Sequence, residues 1–159
     1  MGKKNLGEKI HYVPLVASIQ KSADFYTAGI NMGLFNQVDF ICQLGALGGA
    51  ADFTVKVEEC TASAGTSNDA LAAEYRLSAA AGTDTMGAVT ALETSGLALA
   101  NASDGGKCLI VTVDSDSLTD THKYARLYFT RGGAATAYIG VMAACYPRYE
   151  QKTPSLALT

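Results

Sequence analysis

Acid–base and nucleophilic chemistry near neutral pH draws first on histidine and cysteine, and this sequence holds two histidines and four cysteines. His11 opens a strand-like run and His122 lies in a loop-like one. A hydroxyl or thiol nucleophile needs a base within hydrogen-bond reach and an acid that orients the base. No nucleophile-elbow pattern surrounds either histidine, so both read as solvated surface residues and no catalytic residue is expected. Cys42, Cys60, Cys108 and Cys145 are widely separated, without a C-x-x-C pair, so neither zinc nor a redox centre is signalled. Each lies in an apolar or alternating run, where a thiol packs as a small hydrophobe. Free, buried thiols are the expectation; disulfides made after release from the cell are the alternative.

Oxygen ligands are more plentiful. Asp114-Ser115-Asp116-Ser117-Leu118-Thr119-Asp120 is the best metal candidate, because calcium takes several oxygens from a flexible loop. Asp114, Asp116 and Asp120 would supply them, but the glycine and terminal glutamate of an EF-hand loop are missing. An acidic turn bonding its own backbone accounts for the run, and no metal is expected. Gly105-Gly106-Lys107-Cys108 lacks both the first glycine of a phosphate loop and the hydroxyl after its lysine. It also precedes a strand-like run, so a hairpin turn is the simpler reading. Asn101-Ala102-Ser103 fits the glycosylation pattern by chance. No tryptophan is present to floor a sugar cleft, and basic residues do not interleave with aromatics as on a nucleic-acid platform. No cofactor is implied.

The elements that would position these groups are strands. Phe53-Thr54-Val55-Lys56-Val57-Glu58 alternates apolar and polar, the period of two of a half-buried strand. Val38, Phe40, Cys42 and Leu44 form a second inward set, and the glycine-rich link between the runs predicts an antiparallel pair. Lys107 to Val113 is apolar at nearly every position, which predicts a central strand, buried on both faces or near the middle of a sandwich. Ala125, Leu127 and Phe129 point inward on a strand that ends at Arg131-Gly132-Gly133, and Thr136 to Cys145 reads as its hairpin partner. Weaker strands are expected over 12–19, 24–30, 73–79 and 86–92. Pro14 confines the first to an edge or a docking arm. Asp114 to His122 is a loop with a short helical turn near Leu118.

The fold expectation is therefore all-β: an antiparallel β-sandwich, jelly-roll-like, of about eight strands with extended termini. An N-terminal arm spans 1–11, a single sandwich domain 12–145 and a C-terminal arm 146–159. The chain has 159 residues, a net charge of −3 and 17% charged residues. The charge is too small and too negative for a nucleic-acid stripe, and no apolar run is long enough for a membrane span. No signal-peptide core follows the opening lysines, so a cytoplasmic site of synthesis is expected. Lys3, Lys4, Lys9 and Tyr12 at one end, and Tyr146, Arg148 and Tyr149 at the other, are the expected partner contacts, since tyrosine and arginine are enriched at interfaces.

Several runs in order carry a resemblance: Val13-Pro14-Leu15-Val16-Ala17, Val38-Asp39-Phe40, Phe53-Thr54-Val55-Lys56-Val57-Glu58-Glu59-Cys60, Gly87-Ala88-Val89-Thr90-Ala91-Leu92 and Tyr124-Ala125-Arg126-Leu127. Together they resemble small virion proteins of tailed bacteriophages, encoded beside the major capsid protein. The resemblance implies a capsid decoration or cement protein: a non-enzymatic β-sandwich or jelly-roll subunit, homotrimeric, on the outer capsid surface of the virion. It would be assembled in the bacterial host cytoplasm, and its partner would be the major capsid protein at subunit junctions. The alternatives are a head–tail connector, tail or fibre-base component, and a carbohydrate-binding sandwich for host adsorption.

Overall fold

The structure, a computed structural model, describes residues 9–49, 51–149 and 156–158. Twelve strands follow one another among them: β1 (His11–Lys21), β2 (Phe25–Tyr26), β3 (Ile30–Asn31), β4 (Phe35–Gly48), β5 (Phe53–Cys60) and β6 (Asn68–Leu71), then β7 (Ala73–Leu77), β8 (Thr90–Leu92), β9 (Leu97–Leu99), β10 (Cys108–Asp114), β11 (Tyr124–Arg131) and β12 (Thr136–Pro147). One 3-10 turn, Ser115–Ser117, lies in the acidic loop and ends at Leu118. The first sheet has the order β1-β12-β4-β10-β7-β8. The second has the order β2-β11-β5-β6, with β3 also on β11 and β9 also on β5. All pairings are antiparallel.

The expected all-β sandwich is therefore present, with twelve strands in place of about eight. Its central paths, β1-β12-β4-β10 and β2-β11-β5-β6, interleave along the chain and set the last strand beside the first, which is jelly-roll order. β7 and β8 widen the first sheet beyond that frame. The inward residues of both sheets form one core. Val38, Phe40 and Cys42 on β4, Val55 and Val57 on β5, and Ala125, Leu127 and Phe129 on β11 are all fully buried.

Strand partners differ from the sequence reading. β4 and β5 do not pair, and neither do β11 and β12; each glycine-rich link carries the chain from one sheet to the other. Gly105 and Gly106 likewise join β9 of the second sheet to β10 of the first, so they make no hairpin turn. Packing at a shared corner explains the glycines. A Cβ on Gly132 would lie 2.5 Å from the Asp52 carbonyl oxygen, and one on Gly49 would lie 2.5 Å from that of Ala134. Gly49 also has φ +99°, which glycine adopts without strain. The Gly132 amide donates to the Asp52 carbonyl at 2.9 Å. Asn101 ties in the third crossover: its Nδ2 donates to the Gly49 carbonyl at 2.6 Å, and its amide donates to Asp52 Oδ1 at 2.9 Å. The asparagine of the chance sequon thus has a structural task.

β10 is a central strand, but it is buried on one face alone. Leu109, Val111 and Val113 point inward, while Cys108, Ile110 and Thr112 are only half-buried. β12 extends to Pro147, two residues past the expected end of the domain. The first residues of the expected C-terminal arm are folded down, since the Arg148 amide donates to the Leu34 carbonyl. Ala157 is buried, and its carbonyl accepts from Asn31 of β3.

Gly132→Ala should cost about 2–3 kcal/mol, because backbone must shift to admit the methyl group. Gly82→Ala, where nothing lies within 4 Å of the new methyl, should cost about 1–2 kcal/mol from its positive φ alone. Urea unfolding of both variants checks the order; a Gly132 variant no weaker than the Gly82 variant contradicts the packed corner.

Candidate interaction face and the polar cluster beside it

The antiparallel registers align outward side chains across the first sheet. Pro14 of β1 pairs with Met142 of β12, Met142 with Ile41 of β4, Ile41 with Ile110 of β10, and Ile110 with Arg76 of β7. Four apolar residues therefore stand side by side across four strands, about 4.8 Å apart per step. The next row runs Tyr12, Ala144, Asp39, Thr112 and Glu74. Gly140, Gln43 and Cys108 form the row on the other side. Charge enters this face at β7, through Glu74 and Arg76. On β1, β12, β4 and β10 it enters only at Asp39, inside the face, and at Asp114 on the rim.

Asp39 is quenched by donors. It accepts from Gln37 Nε2 at 3.0 Å, Thr112 Oγ1 at 2.8 Å and the Tyr146 hydroxyl at 3.0 Å. Burial, and then the bond to Asp39, raise the Tyr146 phenol above its ordinary range, so it stays a neutral donor. Met142 is 44% exposed, Tyr138 43% and Tyr12 41%. A groove of about 250 Å³ runs over Gly140 between Pro14, Val16 and Ser18 on one side and Ile41 and Gln43 on the other.

The outer face of the second sheet is built in the opposite way. Arg126 of β11 donates through Nε and Nη2 to Glu58 Oε2 of β5, at 3.0 and 2.7 Å. Lys56 Nζ approaches Glu58 Oε1 at 3.4 Å. The guanidinium lies 4.3 Å from the Tyr26 ring centroid, and the loop at Gly65 closes over it so tightly that a Cβ there would overlap it. Ion pairs and a loop lie on that face; among the described residues, neither lies on the first.

The expected partner contacts divide between the chain ends. Tyr12 and Tyr146 both stand on the apolar face, brought together by the β1–β12 ladder. Lys9 is exposed just before β1, and Tyr149 is 80% exposed. Arg148 turns away and donates to the Met32 carbonyl at 3.4 Å. Lys3 and Lys4 lie outside the described residues. Residues that sequence reading missed are Met142, Ile41 and Ile110, because an outward apolar residue in an apolar run looks the same as a buried one.

His122 is not the solvated residue expected. Its side chain is 9% exposed, with Nδ1 3.7 Å from Glu59 Oε1 and Nε2 3.7 Å from Asp69 Oδ2. Nε2 donates to the Ser67 carbonyl at 2.9 Å, and Nδ1 lies 2.7 Å from Thr119 Oγ1. The Thr119 amide and hydroxyl also reach Glu59, at 2.7 and 3.1 Å. Hydroxyl, imidazole and acid are thus adjacent. However, a buried carboxylate lies beside the hydroxyl, where a hydrolase places N–H donors for developing negative charge. The cluster serves better as a clamp between the acidic loop and the β5–β6 hairpin. Glu59, Asp69 and His122 could each offer one ligand atom to a metal, the three within 4.8 Å of one another. Both ring nitrogens already have closer partners within the protein. Asp114, Asp116 and Asp120 do not converge into such a group among the described residues. His11 packs edge-on against Phe35, with ring centroids 6.1 Å apart.

No protein-family model, curated protein or solved structure matches the chain. The reading of its function therefore rests on the two faces themselves.

All four cysteines are free, and Cys42, Cys60 and Cys145 are buried. Burial pushes the Cys145 thiol up to about 12, with the Asp39 carboxylate adding to the shift. Burial raises Cys42, Cys60 and Cys108 as well. These are packing thiols, not nucleophiles. A thiol held protonated by the fold stabilises fully below its unfolded value, near 9, and loses that contribution as pH rises toward 12. Stability should therefore fall above about pH 9, by about 1.4 kcal/mol per pH unit for each fully shifted thiol. Urea unfolding between pH 8 and 11 checks this. Cys145→Ala should flatten the slope, and an unchanged slope contradicts the assignment.

Proposed function

We propose that the chain is a non-enzymatic structural protein of a phage virion that binds the major capsid protein through the outer face of its first sheet. The carrying observation is the contrast between the two outer faces. The row Pro14-Met142-Ile41-Ile110 faces outward, with Pro14 and Met142 exposed and Ile41 and Ile110 half-buried, while the opposite face is centred on the buried Glu58–Arg126 ion pair. Contiguous exposed apolar surface on one side of a small protein marks a contact site. Its make-up, an apolar centre with tyrosines around it and little charge, is that of an interface core with its rim. Jelly-roll order also occurs in viral capsid domains, in lectins and in cupins, so it supports this reading by analogy only.

A decoration role uses this face at junctions between shell subunits, where added buried area resists expansion of the shell. A trimer would place three such faces around a threefold junction.

Met142→Glu places a charge in the middle of the row, where Met142 is 44% exposed, so folding should change by less than about 0.5 kcal/mol. Binding to head shells that lack this protein should drop at least about tenfold, since a buried unpaired charge costs more than 1.4 kcal/mol. Co-sedimentation measures it, and Arg76→Ala at the rim serves as the mild control. Imaged particles should carry the chain in many copies over the head. Density confined to the tail would sink the capsid reading, and glycan-array binding without head binding would favour the adsorption module.

A further inference from the structure

We infer that the free edge of β1 is a strand-addition site for an extended, uncharged segment of the partner chain with acidic residues at its ends. The inference rests on the chain being an assembly protein; it specifies how one contact is made.

The argument begins with how this fold treats its edges. An open edge presents unpaired N–H and C=O groups, and proteins blunt such edges by shortness, charge, proline or a bulge. Every other edge strand here is short: β2 and β3 have two residues each, β8 and β9 three each, and β6 four. β1 has eleven and lies at the end of its sheet. Among the described residues, no backbone hydrogen bond outside the sheet ladders reaches His11–Lys21. From Tyr12 to Gln20 there is no charged side chain. Pro14 and two register shifts, between Pro14 and Val16 and between Val16 and Ile19, are the only blunting devices. Ala17, Ser18, Ile19 and Gln20 are exposed in succession, on both faces of the strand, with Ile19 at 54%.

Backbone groups along this edge select a partner in extended conformation, as in other strand-addition complexes. The missing charge selects an uncharged partner strand, because a charge opposite an apolar position gains nothing and costs desolvation. The ends select more narrowly. Lys9 and Lys21 bracket the uncharged run, and residues 1–9 hold three lysines against one glutamate. A second copy of β1 is a poor occupant: the antiparallel register that overlaps 9–21 completely sets Lys9 opposite Lys21 at both ends, and like charges directly opposite are destabilising. An acidic-ended strand would meet the exposed Lys9 at one end and, at the other, Lys21, whose ammonium now lies 4.9 Å from the Phe25 ring centroid and would turn toward the added strand. The groove beside Pro14, Val16 and Ser18 continues from this edge onto the apolar face, so an apolar side chain of the added strand reaches the same surface.

The test uses the full chain and a synthetic peptide of alternating threonine and valine with glutamates at both ends. The same peptide with lysine ends and one with a central proline are the controls. Amide hydrogen exchange of Leu15–Gln20 should slow at least about threefold with the glutamate-ended peptide, and far less with either control. Ala17→Asp/Ile19→Asp should abolish the protection while leaving the melting temperature within about 2 °C, since both sites are exposed. Unchanged β1 exchange with the glutamate-ended peptide overturns the inference, as does equal protection by the lysine-ended one. A dimer in light scattering that this double variant dissolves also overturns it, in favour of self-pairing. Head shells separate the two readings. Shell binding with unprotected β1 amides removes strand addition and leaves the capsid role. Peptide protection without shell binding removes the capsid role and leaves strand addition.

Discussion

The first sheet depends on one insertion: β12, the last of the twelve strands described, lies between β1 and β4. Its ladder with β4 runs from Thr136 opposite Gly48 to Pro147 opposite Phe35, and its ladder with β1 from Ala137 opposite Lys21 to Cys145 opposite His11. Until β12 is in place, β1 has no ladder and the groove over Gly140 does not exist. These pairings join residues far apart in sequence, so loop-closure entropy is lost before most contacts form, and slow folding follows from that order of events. The alternation along β12 then does two jobs at once. Ala137, Ile139, Val141, Ala143 and Cys145 complete the core, while Tyr138, Met142 and Tyr146 build the outer face.

Side-chain direction was legible in the sequence because it is a local property. A period of two assigns Val38, Phe40, Cys42 and Leu44 to one side whatever the strand pairs with, and all four are buried. Partner choice is not local. Phe53 to Cys60 has the same alternation whether it pairs with β4 in a hairpin or with β11 across the molecule, and the glycines between β4 and β5 fit both. What decides is the corner, where Gly49 approaches Ala134 and Gly132 approaches Asp52. Those contacts join segments some eighty residues apart, which no local pattern encodes. The short strands β6 and β9 escaped notice, and β2 and β3 merged into one expected strand over 24–30, for a related reason: runs of two to four residues carry too little periodicity.

The candidate surfaces divide along the same line. Tyr12 and Tyr146 stood out by residue type at the two ends of the chain, and the β1–β12 ladder makes them neighbours. Ile41, Ile110 and Met142 did not stand out. Full hydrophobicity in Lys107 to Val113 pointed to burial on both faces, yet half of that strand faces outward and only half-buried. His122 was misplaced because its partners, Glu59 and Ser67, lie more than fifty positions away. A lone loop histidine has no local feature that predicts its burial.

The unequal outer faces carry a physical argument about purpose. Covering the second sheet required desolvating Glu58 and Arg126, which costs several kcal/mol per ion before their attraction and hydrogen bonds offset it. The result is an outer face centred on one matched ion pair, with Tyr26 over the guanidinium and the Gly65 loop packed against it. Among the described residues, the first sheet receives no such cover. Its one inner carboxylate, Asp39, is hydrogen-bonded by three neutral donors of the same face, Gln37, Thr112 and Tyr146. A face meant for water would gain solubility from lysine or glutamate at positions 41, 110 and 142, with no cost to the core beneath, since those side chains point away from it. Keeping isoleucine, isoleucine and methionine there gives up that solubility. The arrangement makes sense when a second surface removes them from water, and the uncharged edge of β1 borders the same region.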